Sequence, residues 1–374
     1  MTRPLNPQPA EPREGTRSPE PVPATVAHPS PAQKRDADPY RPARPIPAAE
    51  LQPSPLDEVL FEIKRLIVGQ DRLLERLLVA LLARGHAILE GVPGLAKTAA
   101  VKALADVVGG SFGRIQFTPD LVPADLIGTR VYTPGRGDFR TELGPVFVNL
   151  LLADEINRSP AKVQSALLEV MQERQVTIAK EAHLVPDPFL VLATENPIEA
   201  EGTYPLPEAQ LDRFMFKVVI GYPSYMEEIE IANRVTGPPI VLRQVLTLEQ
   251  LREMQAKAAQ VYVDPAVTAY AATLVGATRD PAGNGLPQLA KAVAYGASPR
   301  ATINLVAASR CLAFIRGRDY ALPKDVADLT PDVLRHRIIL SYEGFAGGVT
   351  SDTVIQQVLN RNQPPRLDLR DRHA

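Results

Sequence analysis

From Asp57 onward, apolar side chains recur every third or fourth position, through Val59, Leu60, Ile63, Leu66 and Ile67 and then Leu73, Leu74, Leu77 and Leu78. That spacing predicts helices at the start of the folded part. Short apolar runs then alternate with helical stretches: His86 to Glu90, Arg114 to Phe117, Phe147 to Ala153, Phe189 to Ala193 and Met215 to Ile220. Strands alternating with helices are joined by right-handed crossovers, which predicts an α/β fold with a mostly parallel, five-stranded sheet covered on both faces. After Gly221-Tyr222-Pro223 the strand signals stop. Helical periods take over at Leu248 to Gln260, Pro265 to Arg279, Ser298 to Arg316 and Pro323 to Arg335, so a second, all-helical domain is expected.

Two further segments alternate apolar and polar residues as hairpins do: Val176 to Pro186, and Gly128 to Phe139 with Pro134-Gly135 and Arg136-Gly137-Asp138 at the turn. Tyr132 and Phe139 in the second hairpin either pack within their own loop or grip a polypeptide. The patterns divide the chain into an arm over residues 1–54, an α/β core over 55–222, a helical domain over 223–345 and a C-terminal tail over 346–374 that is charged and loose from Asn360 onward. The arm holds more than a third of the 37 prolines and few aromatics, a composition that buries too little apolar surface to offset its ordering entropy. It is expected to be disordered.

The 41 basic and 43 acidic residues nearly cancel, which argues against a dedicated nucleic-acid binder. Cys311 lies in an apolar helical stretch, where it packs as a small hydrophobe, and a single cysteine leaves no disulfide framework. The five histidines show no paired metal-ligand spacing. Neither a signal-peptide run nor about 18 consecutive apolar residues occur, so a cytoplasmic location without a membrane span is expected.

Chemistry enters at Gly91-Val92-Pro93-Gly94-Leu95-Ala96-Lys97-Thr98, which follows a predicted strand and opens a predicted helix through Ala99. In that context a glycine-rich loop offers backbone amides to phosphates at a helix N-terminus; Lys97 neutralises the terminal phosphate oxygens, and the Thr98 hydroxyl holds magnesium. The departure from the general phosphate-loop pattern is Ala96, where glycine is usual. The run Val146 to Ala153 ends in Asp154-Glu155, and open α/β sheets place ligand sites at the carboxyl ends of their strands. There Asp154 belongs to the magnesium shell, and Glu155 orients and polarises the attacking water. The run Phe189 to Ala193 leads to Asn196, which either forms a turn or aligns that water.

Two arginines extend the constellation. Arg213, in Leu211-Asp212-Arg213-Phe214, pairs with Asp212, stays solvated as surface charges usually do, or enters a neighbouring subunit's site as an arginine finger. Arg300 follows Ser298-Pro299 in the first turn of a helix, where a cation opposes the helix dipole unless an anion lies close. A nucleotide phosphate is the expected anion.

With these residues in view, the chain resembles the MoxR family of AAA+ ATPases over roughly residues 55 to 345. The likeness rests on GVPGLAKT at 91–98, LLLADEINRSPAKVQSALLEVMQERQVT at 150–177, VLATENPIEAEGTYPLPEAQLDRF at 191–214 and ASPRA at 297–301. Alanine at position 96 is usual in that family. The resemblance implies that Lys97 and Thr98 are Walker A, Asp154 and Glu155 Walker B, Asn196 sensor 1, Arg213 the arginine finger and Arg300 sensor 2. It further implies that Val68, Gly69 and Gln70 contact adenine. An AAA+ phosphate-loop core with a helical lid, ATP and magnesium as ligands and a hexameric ring follow from the same likeness. So does chaperone action on a client protein, often with a partner carrying a von Willebrand factor A domain. A nucleic-acid motor and a nucleotide-gated scaffold with little turnover stay open as other classes.

Overall fold

The computed structural model describes residues 54–134, 138–196 and 203–366. The expected arm, apart from Ser54, lies outside the described residues, as do the turn at 135–137 and the end of the tail.

The core opens on helices α1 (Pro55–Leu66) and α2 (Asp71–Leu82). Then follow β1 (Ala87–Glu90), α3 (Lys97–Val107), β2 (Phe112–Gln116), α4 (Pro123–Ile127), β3 (Gly128–Thr133), β4 (Asp138–Leu143), β5 (Leu150–Asp154), α5 (Ala161–Glu173), β6 (Gln175–Ile178), β7 (Glu181–Leu184), β8 (Leu190–Glu195), α6 (Glu208–Leu211) and β9 (Phe216–Val219). The main sheet is five-stranded and parallel throughout, in the order β2-β5-β8-β1-β9. Its three central strands, β5, β8 and β1, are apolar up to their polar ends because both faces are covered. Alternation does the sorting. Leu150 and Leu152 of β5 face the interior shared with α1, α2 and α3, whereas Leu151 and Ala153 face the one shared with α5 and Phe214. The strand expected from Phe147 begins later, at Leu150: the Asn149 backbone N–H donates to Ser111 Oγ at 2.9 Å, and its side chain accepts from Ser111 N at 3.0 Å and donates to Pro188 O at 2.8 Å. Both expected hairpins are present as β3–β4 and β6–β7.

Beyond β9 come α7 (Tyr225–Thr236), α8 (Leu248–Ala259), α9 (Pro265–Arg279), β10 (Val293–Tyr295), α10 (Pro299–Ile315), α11 (Pro323–Leu334), β11 (Ile339–Leu340), α12 (Tyr342–Ala346) and α13 (Ser351–Arg361). The short β10–β11 pair is an addition to an otherwise helical part. The tail expected from residue 346 requires correction. Its first half is α13, which buries Val354, Ile355 and Val358 in the same apolar interior as α9 and α11. Cys311 is buried in α10, where burial pushes its thiol up to about 12.

His86 leads into β1 and is buried. Its Nε2 donates to Met171 O at 3.2 Å and its Nδ1 accepts from Val191 N at 3.0 Å, a pairing that requires the neutral ring. Burial, helped by the nearby Arg174 charge, lowers its pKa to about 3. An unfolded histidine titrates near 6.5, so this stabilisation is complete above that pH and declines as the pH falls from there towards 3. Between pH 7 and 5 the unfolding free energy should drop by about 2 kcal/mol through this one ring. Urea titrations at the two pH values should show the drop, and His86→Asn should have a shallower pH slope. Parallel slopes would exclude the neutral buried ring.

Candidate functional site

The tips of β1, β8 and β5 lie side by side, so the loops that leave them converge. Lys217 of β9 ties two of these tips together, pairing with Glu90 at 2.6 Å and Glu195 at 3.1 Å. Burial opposes its charge, yet the two carboxylates raise its pKa above the ordinary lysine value.

Between β1 and α3 the chain makes the loop Gly91 to Ala96. Gly94 has φ 86° and Ala96 has φ 57°, both in the left-handed region that glycine adopts without cost. This explains why glycine is usual at the position of Ala96, and alanine there costs on the order of 1 kcal/mol. No side chain caps α3, so its first-turn amides have no acceptor of that kind and suit an anion. Lys97 lies half-buried with its Nζ 2.6 Å from Gly91 O. Burial lowers its pKa, while Asp154 and Glu155 work in the opposite direction.

Pro93 to Ala99 form one wall of a cleft of about 450 Å³, and Arg114, Gln116, Asp154, Glu155, Thr194 and Asn196 line the rest. Asp154 accepts from Thr194 Oγ1 at 2.6 Å on one oxygen and from the Arg114 guanidinium at 2.7 Å on the other. Glu155 has φ 55°, a left-handed conformation uncommon for a side-chain-bearing residue. Its backbone N–H donates to Thr194 Oγ1 at 2.8 Å, and its carboxylate accepts from Gln116 at 2.7 Å and meets Arg158 at 3.1 Å. Asn196 is buried just beyond β8 and lines the same cleft. Thr194, Arg114 and Gln116 escaped the sequence reading. Thr194 alone had a signal, a hydroxyl two residues before Asn196, whereas Arg114 and Gln116 depend on β2 pairing with β5.

A second cavity, of about 480 Å³, adjoins the first and shares Gly94, Leu95, Ala96 and Ala99 with it. Val68 and Gln70 line it opposite Pro223, Ile231, Val235, Pro239 and Ile240, a mainly apolar enclosure suited to a flat aromatic base. Gln70 Nε2 donates to Gly221 O at 3.2 Å, fixing this turn against the end of β9. Gly69 does not line the cavity, but a side chain on it would collide with Glu227 of α7.

The two remaining arginines lie elsewhere. Neither Arg213 nor Arg300 lines the phosphate cleft. Arg213 follows α6 and lines a shallow recess with Ser165, Glu169 and Gln172 of α5; among the described residues it has no ion pair. The Asp212 pairing weighed from the sequence is made instead by Arg337, whose Nε lies 2.7 Å from Asp212 Oδ1, and by Arg300, whose Nη1 lies 3.3 Å from Asp212 Oδ2. In this structure the anion beside Arg300 is that carboxylate. Tyr132 and Phe139 are cross-strand partners on β3 and β4 with ring centroids 5.2 Å apart, and both stay more than half exposed.

Residues 86–216 match the ATPase family associated with various cellular activities (AAA), and residues 289–358 match the AAA lid domain, which ends inside α13. Chaperone MoxR1 of Mycobacterium tuberculosis is 55% identical over 313 residues, 84% of this chain and 83% of its own length. Protein MoxR of Methylorubrum extorquens is 35% identical, covering 78% of this chain and 90% of its own. A crystal structure of a candidate ATPase from Cytophaga hutchinsonii superposes with a TM-score of 0.79 at 46% identity, covering 83% of this chain and 95% of that one.

Proposed function

This chain belongs to the MoxR family of AAA+ ATPases, and from that premise we propose that it hydrolyses ATP with magnesium, as a ring-forming chaperone that remodels a client protein. The observation that carries the reading is the pair of adjoining cavities, one apolar beside Val68 and Gln70, the other polar and flanked by Lys97 and two carboxylates. A purine and its phosphates need such a divided site.

Lys97 and the uncapped first turn of α3 hold the phosphates and neutralise their charge. Thr98 and Asp154 offer hard oxygen donors within one cleft, a set that fits magnesium. Magnesium, when bound, offsets the charge that develops on the phosphoryl oxygens. Glu155 orients the attacking water and takes up its proton, and the Asn196 amide keeps that water in line. Arg213 acts on the neighbouring subunit's ATP, which makes the hexameric ring part of the active site. Arg300 acts through the same segment rather than from within the phosphate cleft.

Kinship with Chaperone MoxR1 supports a client protein as the object of the work. A partner with a von Willebrand factor A domain and a cytoplasmic location complete the reading. No helix among the described residues is long and apolar enough to cross a membrane.

Lys97→Ala should greatly weaken ATP binding, because the phosphates lose their main cationic partner. Calorimetric titration measures this directly, and unchanged affinity would refute the site. Salt-sensitive stimulation of hydrolysis by DNA would favour a nucleic-acid motor instead.

A further inference from the structure

Arg337, three residues beyond α11, has a side chain that is only 1% exposed and reaches into the core. It binds the backbone on both sides of Arg213. Its Nε donates to Asp212 Oδ1 at 2.7 Å, its Nη2 to Asp212 O at 3.0 Å and Phe214 O at 2.6 Å, and its Nη1 to Met215 O at 3.3 Å. His336 Nε2 adds a donor to Phe214 O at 3.1 Å. The other oxygen of Asp212 accepts from Ser298 Oγ at 3.0 Å and Arg300 Nη1 at 3.3 Å. The helix that precedes Arg337 is itself anchored. Asp332 of α11, 1% exposed, pairs with Arg76 at 2.8 Å and Arg72 at 3.0 Å, both on α2 of the core. Arg213 thus sits in a stretch whose neighbours are fastened to a fixed frame, while its own guanidinium makes no ion pair with a described residue.

We infer that Asp212 and Arg337 are positioning residues for Arg213, holding the backbone that carries it at the place from which it reaches a neighbour's ATP. The inference rests on the proposed reading of Arg213 as a finger acting between subunits. Its physical ground is that stabilisation of a phosphoryl transition state depends on placement to within about an ångström, which a loop after a four-residue helix does not supply alone. A planar fork of donors meeting several fixed acceptors does supply it, and a lysine cannot. Arg300 and Ser298 then serve the same purpose, completing the second oxygen of Asp212.

The test uses the full chain and subunit mixing. Asp212→Asn should bind ATP as the parent does, with turnover lowered by roughly ten- to a hundredfold and KM little changed. Mixed with Glu155→Gln it should regain activity, because its intact site then faces a neighbour with a well-placed finger. Mixed with Arg213→Ala it should regain none, since both lack a working finger. The double variant Asp212→Asn/Arg213→Ala should be no slower than Arg213→Ala alone. A purely structural staple would damage its own subunit's site, so failure to recover with Glu155→Gln, or a further loss in the double variant, would overturn the inference. Should Asp212→Asn not fold, Arg337→Lys keeps the charge without the fork and should give the same mixing pattern. Arg213→Ala with normal turnover would reject the finger reading itself. An inactive Arg213→Ala beside a fully active Asp212→Asn would reject only the positioning role.

Discussion

Glu155→Gln should still bind ATP and should hydrolyse it at least about a hundredfold more slowly, the usual contribution of a positioned base. Glutamine keeps the length of the side chain and an oxygen that can accept from Gln116, so the wall of the cleft should stay in place. What disappears is the negative charge that takes up a proton from water. The backbone supports giving the role to Glu155 rather than Asp154. Asp154 continues β5 and is tied on both oxygens, to Thr194 and Arg114. Glu155 has left the strand in a left-handed conformation, which costs on the order of 1 kcal/mol and survives because Thr194 holds its N–H. That conformation turns the Glu155 side chain away from the strand and into the cleft wall beside Gln116 and Arg158. Equilibrium ATP binding and single-turnover hydrolysis on the same preparation separate the two effects. A near-normal rate would remove Glu155 from the mechanism, and lost binding would show that the substitution disturbed the cleft.

The legibility of this site in the sequence follows from the sheet. Parallel strands buried on both faces read as apolar runs, so β1, β5 and β8 announce themselves, and the polar residues that end them are the natural candidates for the site. Asp154 and Asn196 become neighbours because β5 pairs with β8, and the phosphate loop joins them because β1 pairs with β8 on its other edge. Other features have no local signature. No residue of α7 is buried, and nothing in its own pattern tells that it closes a cavity, yet Ile231 and Val235 line the apolar one. The partner that Arg300 has in this structure is hidden for a related reason. Helix capping at Ser298 predicts that an anion is wanted, but only the packing of α10 and α11 against the segment after α6 decides that Asp212 provides it. The same packing conceals Arg337, which in the sequence is one charge just past a helical stretch.

Arg213→Ala should bind ATP normally and hydrolyse it about a thousandfold or more slowly, the usual value of an arginine finger supplied from another subunit. The phosphate cleft already contains Lys97, Glu155 and Asn196, and Arg213 is not among the residues lining it. Its side chain instead opens on a recess formed by α5. An arginine that serves catalysis from there must do so across a subunit boundary, so activity should appear only on assembly and rise with protein concentration. Subunit mixing gives the decisive measurement. Arg213→Ala has an intact site and no finger, while Glu155→Gln has a finger and no base, so co-assembled rings contain some interfaces at which a complete site meets a complete finger. Those rings should recover turnover that neither variant shows alone, in proportion to the number of such interfaces. Proven co-assembly without recovery would exclude Arg213, and Arg158 would be examined next. The geometry explains why it ranks second: Arg158 lies 3.1 Å from Glu155 of its own subunit, where it balances the charge of the base in place.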